Sequence, residues 1–227
     1  MVMKLEKVVP FGRSLDEYTL MFDLSSDDLQ KNILGVGDGP ASFNAEGTAK
    51  GYKITSIDPI YQFSGKEIKQ RFDAVVDNII NQIDATPDNW VWQYHKNSQE
   101  LKASRIKTTE TFLADYARGK HEDRYLAQEL PRLGFKDRSY DLAICSHFLF
   151  LYSAHCDRDF HIAAIKEMLW VSKEVRIFPL LTLMQEVSPY VDLVKNKFGK
   201  LGYLVSTVKV SYEFQPGANK MLVIKTS

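Results

Sequence analysis

The segment Lys31-Asn32-Ile33-Leu34-Gly35-Val36-Gly37-Asp38-Gly39-Pro40 is an apolar run that ends in three alternating glycines. Lys31–Leu34 predicts a short buried strand, and the glycines predict a tight turn in which bare backbone faces outward. Pro40 suits the first turn of a helix, which Ala41–Lys50 continues and Gly51 stops. Lys53–Ile57 predicts a second strand that ends at Asp58-Pro59. Strand, turn, helix and strand in that order open a parallel α/β sheet.

Upstream, Ser14-Leu15-Asp16-Glu17 forms a Ser-x-x-Glu capping box ahead of Tyr18, Leu20, Met21 and Phe22, which predicts a short helix. Ser25-Ser26-Asp27-Asp28 predicts a turn. Downstream, Ser64 and Glu67 form a second capping box, and Ile68, Phe72, Val75, Val76, Ile79, Ile80 and Ile83 recur at helical spacing. Thr86-Pro87 closes that helix, and the looser pattern from Asp88 to Gly119 predicts one or two more. A simple crossover needs only about a dozen residues. Residues 64–119 therefore read as a crossover helix with a helical insertion, in the place where many α/β folds carry a lid. Arg124–Ala127, Tyr140–Cys145 and Glu174–Leu180 predict further strands, and Phe160–Val171 and Pro189–Leu201 predict helices. Tyr203–Phe214 and Met221–Lys225 flank Gln215-Pro216-Gly217-Ala218-Asn219, a strong turn signal, and predict a hairpin. The expected architecture is one Rossmann-like, doubly wound α/β domain over residues 1–227. Its sheet is mostly parallel, with an antiparallel C-terminal hairpin strand and a helical insertion.

Composition narrows the function classes. The 227 residues are 44% hydrophobic and 26% charged, which excludes a disordered, collagenous or coiled-coil chain. Lys+Arg and Asp+Glu both number 29, and no basic cluster is visible, so nucleic-acid and anionic-membrane partners are not expected. Cys145 and Cys156 are too few for a disulfide framework or a four-thiolate zinc site. No apolar run reaches membrane-spanning length, and MVMKLEKVVPFGR is too short and too charged for a signal peptide, so a cytoplasmic setting is expected. His147, His155 and His161 lie near Cys145, Cys156, Asp157 and Asp159. Their spacing matches no closed zinc motif, so no metal is expected and the stretch reads as a polar loop at the mouth of the site.

The glycine spacing separates two ligands. A dinucleotide fold carries G-x-G-x-x-G/A, whose third small residue packs helix against strand. Here that place holds Pro40, which weakens the nicotinamide and flavin readings. Asp58, at the end of the second strand, stands where a carboxylate receives ribose hydroxyls. At Ile33-Leu34-Gly35-Val36-Gly37-Asp38-Gly39 and Ser56-Ile57-Asp58 the sequence resembles the class I S-adenosylmethionine-dependent methyltransferases. The similarity continues through Tyr125-Leu126-Ala127-Gln128-Glu129-Leu130-Pro131-Arg132-Leu133-Gly134-Phe135-Lys136-Asp137-Arg138-Ser139-Tyr140-Asp141-Leu142, which resembles the family's run from third to fourth strand.

The resemblance implies a cofactor held by Gly35, Val36, Gly37, Asp38 and Gly39, with Asp58, Pro59 and Ile60 on the ribose side. Glu129 and Leu130 would meet the adenine, and Ser146 and His147 would border the methionine end. A helix before the first strand could fold over the cofactor, bringing Arg13 to its carboxylate. His147 follows a parallel strand and is the candidate general base; the alternative is a backbone-bonded histidine beside the cofactor. Trp90, Trp92 and Tyr94 either face an apolar or cationic acceptor or pack the insertion. Two departures stand out. The acid that the family often has two residues before its first glycine is Ile33 here, and no Asn-Pro-Pro-Tyr, Asp-Pro-Pro-Tyr or Pro-Cys signature occurs. The expectation is methyl transfer to a small-molecule acceptor by a monomer or homodimer. The alternatives are a non-catalytic nucleoside-binding module or a transferase using a related adenosyl cofactor.

Overall fold

The computed structural model describes Leu5 and residues 8–226. Among these residues a seven-stranded sheet is built from β1 (Asn32–Val36), β2 (Lys53–Ile57), β3 (Tyr125–Leu126), β4 (Tyr140–Ser146), β5 (Ser172–Phe178), β6 (Leu204–Lys209) and β7 (Lys220–Lys225). The helices are α1 (Leu15–Phe22), α2 (Ser26–Leu29), α3 (Phe43–Ala49), α4 (Gly65–Asp84), α5 (Ser98–His121), α6 (Arg158–Val171) and α7 (Val191–Lys200). The strand order is β3-β2-β1-β4-β5-β7-β6, parallel except that β7 runs antiparallel to both neighbours. The expected Rossmann-like sheet with its antiparallel hairpin strand is thus present.

Period-two alternation explains why the central strands are apolar throughout. Leu34 and Val36 of β1 and Ala143 and Cys145 of β4 face the core under α6 and α7. Ile33, Leu142 and Ile144 face the opposite core, formed with α1 and α3. Helices cover both faces, so neither side of these strands meets water. The strand order reverses between β1 and β4, which opens a crevice beyond their C-terminal ends.

Three local expectations need correction. Ser25–Asp28 is not a turn but the start of α2, because Ser25 and Asp28 cap each other as a capping box. Pro40 lies before α3, which begins at Phe43 behind an N-cap at Ser42 whose N–H bonds the Arg13 carbonyl. The strand expected over Tyr203–Phe214 is shorter, ending at Lys209, since Val210–Asn219 leaves the sheet and folds back over its end, while β7 matches its expected span to within a residue. Between β2 and β3, α5 packs on α3 and β3, while α4 packs on α5.

Candidate functional site

The glycine loop is shaped by Asp38. Its carboxylate folds back over Gly35, where an added Cβ would lie 1.9 Å from Asp38 Oδ2, so a larger residue at Gly35 would have to displace that carboxylate. Gly37 and Gly39 take left-handed φ values of 70° and 54°, which glycine adopts at little steric cost. The Gly37 N–H donates to the Ile57 carbonyl at 2.8 Å and ties the loop to β2. Asp38 is buried, accepting from Tyr18 Oη at 2.8 Å and from Ser56 Oγ at 2.6 Å. Burial, reinforced by the charge of Asp58, raises its carboxyl to about 7 against the pull of those two donors.

Asp58 caps a 3-10 turn over Pro59–Gln62. Its Oδ1 accepts from Ile60 N at 2.8 Å and its Oδ2 from Gly39 N at 2.9 Å, so one side chain orders both loops. Burial and the charge of Glu129 raise it to about 6, while the two N–H groups oppose that shift. A carboxylate has about four acceptor positions, so two remain for other donors. Ser146 ends β4 and His147 follows directly on it, and Val36 is buried in β1 at the root of the loop.

At the far side of the loop lies Arg13. Its Nη1 donates to the Phe11 carbonyl at 2.9 Å, its buried Nε has no hydrogen-bond partner, and no described carboxylate forms an ion pair with it. Burial first, and then Arg105, lowers its affinity for its proton, yet a guanidinium stays charged in proteins. Nearby, Glu17 on α1 is clamped by Arg105 of α5 through two 2.7 Å bonds and accepts from Tyr212 Oη at 3.0 Å. Burial works against its charge, but Arg105, His95 and Arg13 outweigh it and hold Glu17 ionised well below the usual carboxylate range. Glu17 thus neutralises Arg105, and Arg13 remains a half-buried cation with no carboxylate paired to it among the described residues.

His147 has φ 52°, a left-handed value that is uncommon for a residue with a Cβ and is often found at functional sites. Its N–H donates to Phe178 O at 2.7 Å, and its Nδ1 lies 2.9 Å from Ser146 Oγ. Burial, with Arg13 and Arg105 nearby, holds the imidazole well below its ordinary value, so the ring is neutral.

These groups border three adjoining cavities. The central one, about 290 Å³, runs from Asp38, Gly39 and Asp58 to Arg13 and His147 beneath Val8–Phe11. A second, about 270 Å³, shares Gly37, Asp58 and Phe148 with it and extends to Glu129, Leu130 and Phe160. A third, about 80 Å³, shares Val9, Phe11, Arg13 and His147 with the central one and lies over the ends of β4 and β5. The structure therefore brings together Gly37, Asp38, Gly39, Asp58, Pro59, Ile60, Ser146, His147 and Arg13 around one space, with Glu129 and Leu130 next door. Gly35 and Val36 support the loop from below. Ile33, at the place of the missing acid, is fully buried in the apolar core under α1 and α3.

Sequence reasoning missed several walls of this cleft. Val8, Val9 and Phe11 close it from above, Arg71 and Val75 of α4 flank it, and Phe148 floors the passage between two cavities. Tyr61 donates to the Gly39 carbonyl at 2.7 Å and braces the loop. Only Phe148 carried a signal, as the neighbour of His147. Of the three aromatics of the insertion, Trp90 lines the 80 Å³ cavity and stacks on Phe214 with centroids 4.9 Å apart. Trp92 meets Phe214 edge-on, and Tyr94 donates to Asp16 at 2.7 Å, so both serve packing. The histidine loop does not converge. His161 spends both ring nitrogens on the Asp157 and Leu149 carbonyls, and among the described residues no three metal-ligating groups meet.

The sheet order and the cleft at its reversal define the class I S-adenosylmethionine-dependent methyltransferase fold. The chain superposes on magnesium protoporphyrin IX methyltransferase (ChlM) of Synechocystis PCC 6803 with bound SAH, with TM-score 0.50 and 14% identity over 94% of this chain and 81% of that one. The mitomycin 7-O-methyltransferase MmcR gives TM-score 0.51 and 13% identity over 94% of this chain and 54% of that one. In sequence, the chain is 36% identical over 224 residues to the uncharacterized protein MJ0045 of Methanocaldococcus jannaschii, covering 98% of each, and it belongs to the same family. No family model matches it. No helix among the described residues is long and apolar enough to cross a membrane.

Proposed function

We propose that this protein transfers a methyl group from S-adenosylmethionine to a small-molecule acceptor. One observation carries the reading: a single cavity at the sheet's reversal has a glycine loop and Asp58 at one end and, at the other, Arg13, which no described carboxylate pairs. When bound, S-adenosylmethionine supplies a methyl group activated by its sulfonium. The chain's own residues would do the rest. Asp58 receives the ribose hydroxyls in its spare acceptor positions, and Glu129 and the Leu130 N–H meet the adenine. Arg13 pairs with the methionine carboxylate. Asp38, whose carboxyl is raised to about 7, offers the amino group a hydrogen-bond acceptor where Ile33 cannot.

Holding acceptor and methyl in line, away from water, accounts for most of the rate such an enzyme needs, up to about 7–11 kcal/mol for well-oriented partners. The balanced charge, with 29 basic and 29 acidic residues, favours a small acceptor over nucleic acid. We assign the chain to the cytoplasm, as a monomer or homodimer built from one domain. Calorimetry is expected to show S-adenosylmethionine and S-adenosylhomocysteine binding in the micromolar range, about −8 kcal/mol; NADH binding as tightly would overturn the assignment. The buried Ile33 favours a second reading, a module that binds the nucleoside without turnover. Transfer of a radiolabelled methyl group to a metabolite pool separates the two.

A further inference from the structure

The 80 Å³ cavity lies on the other side of Arg13 and His147 from the glycine loop, over the ends of β4 and β5. Its walls are Ile79 and Ile83 from α4, Trp90 from the α4–α5 connection, and Phe178, Leu183 and Phe214 from β5 and the folded-back hairpin. The insertion and the hairpin thus meet here, joined by the Trp90–Phe214 stack and by a 2.8 Å bond from Val91 N to Phe214 O. Its polar groups are largely committed. Tyr212 Oη donates to Glu17, Gln215 Nε2 reaches Thr182 O at 3.4 Å, and Tyr152 Oη accepts from Val9 N at 3.3 Å. His147 is the exception. Its Nδ1 faces Ser146, and no described group bonds its Nε2.

From these walls we infer that this cavity is the acceptor site and that it takes a short, uncharged, apolar acceptor presenting one ionisable proton to His147 Nε2, a thiol in preference to an alcohol. The inference rests on the methyl-transfer reading for its chemistry, but not for the cavity's contents. Three arguments lead to it. Among the described residues the lining holds no carboxylate, so an ammonium would enter without a counter-charge at the cost of its hydration. Among the same residues Arg13 is the cation at the rim, and the cofactor's carboxylate takes it. Size sets the third limit: a cavity of about 150 Å³ holds benzene, and this one is about half that, so a short alkyl chain fits where a ring does not. In the transfer the acceptor's heteroatom gains the methyl group and gives its proton to His147 Nε2, and the sulfur of the donor keeps the electron pair of the broken carbon–sulfur bond. His147 later releases that proton to solvent. A neutral ring that donates Nδ1–H to Ser146 has its Nε2 lone pair free for this step. A weak base of that kind suits a thiol, whose proton is far more acidic than that of an alkyl alcohol.

The test uses the whole chain, free and saturated with S-adenosylhomocysteine. Xenon diffusion into crystals is expected to show one atom between Ile83, Trp90 and Phe178. Trp90 fluorescence is expected to report 1-propanethiol binding to the loaded protein at least ten-fold tighter than butyrate or butylamine, with 1-propanol between. Ala218→Leu and Leu183→Trp, which fill the cavity from two sides, are each expected to weaken propanethiol at least ten-fold while leaving S-adenosylhomocysteine affinity within two-fold. Butyrate binding the loaded protein best would assign Arg13 to the acceptor and overturn the inference. So would an empty xenon map, or propanethiol affinity unchanged in a folded filling variant. If S-adenosylhomocysteine fails to bind while xenon and propanethiol occupy the cavity, methyl transfer fails and the small apolar site stands.

Discussion

At the scale of single residues, two acids do different work within one loop. Asp58 bonds Gly39 N and Ile60 N at once, so Asp58→Ala removes both the ribose acceptor and the brace that orders the loop. Calorimetry is expected to show S-adenosylhomocysteine affinity falling by about 1–3 kcal/mol in that variant; an unchanged affinity in a folded protein removes Asp58 from the site. Asp38 instead governs how stability responds to pH. Its carboxyl is raised from 3.8 to about 7, and it titrates together with Asp58, raised to about 6. A raised carboxyl binds more protons in the folded than in the unfolded state, so its contribution is full below the unfolded value and is lost as pH climbs through the folded one. For Asp38 the window runs from about pH 4 to about pH 7 and integrates to roughly 4 kcal/mol. The urea midpoint of the native protein is therefore expected to fall between about pH 4 and pH 7, and Asp38→Asn to flatten that fall. An identical slope in the variant sinks the argument.

Between elements, α1 is fixed to α5 by charge as well as by packing. Glu17 is fully buried and faces Arg105 through paired 2.7 Å bonds, with Tyr212 from the hairpin as a third partner. Glu17→Gln leaves Arg105 buried without an anion, and breaking such a pair costs about 3–5 kcal/mol. Urea unfolding is expected to show a loss of that size, against less than about 0.5 kcal/mol for Lys69→Ala, whose partner Asp73 is exposed beside it. A small effect of Glu17→Gln means that water reaches the cluster. This scale also shows what the sequence could reveal. The capping box at Ser14 announced α1 and that at Ser64 announced α4, because both are local. Glu17 served in the sequence reading only as a cap, because its partner Arg105 lies 88 residues away on a helix without a clear apolar stripe. Asp28 was read as part of a turn for a similar reason, since its second role, bonding Arg176 of β5 at 3.1 Å, crosses 148 residues.

For the molecule as a whole, the mostly parallel sheet with its antiparallel hairpin and the glycine loop were legible because their strands and turns rest on short-range pattern, whereas the order of the strands and the roof of the cleft were not. Val8–Arg13 has no periodicity, and its position depends entirely on distant partners. Phe11 stacks on Phe72 of α4 with centroids 6.5 Å apart, and Val9 N reaches Tyr152 Oη at 3.3 Å. Gly12 presses so closely on the Pro40 carbonyl that a Cβ would lie 2.2 Å from its oxygen. This segment contributes to all three cavities, so a ligand in the cleft is covered by it, and ligand and roof should order together. A ligand that binds only the folded state stabilises by about 2.7 kcal/mol at a hundred times its dissociation constant. With S-adenosylhomocysteine at that excess, the unfolding free energy is expected to rise by this amount. Hydrogen exchange is expected to slow at Val9, Gly12, Gly37 and Gly39 far more than at the edge strand β6, which lies on the opposite side of the sheet from the glycine loop. Slowing confined to the loop, with Val9 and Gly12 unchanged, would show that the roof is a fixture of the fold and takes no part in holding the ligand.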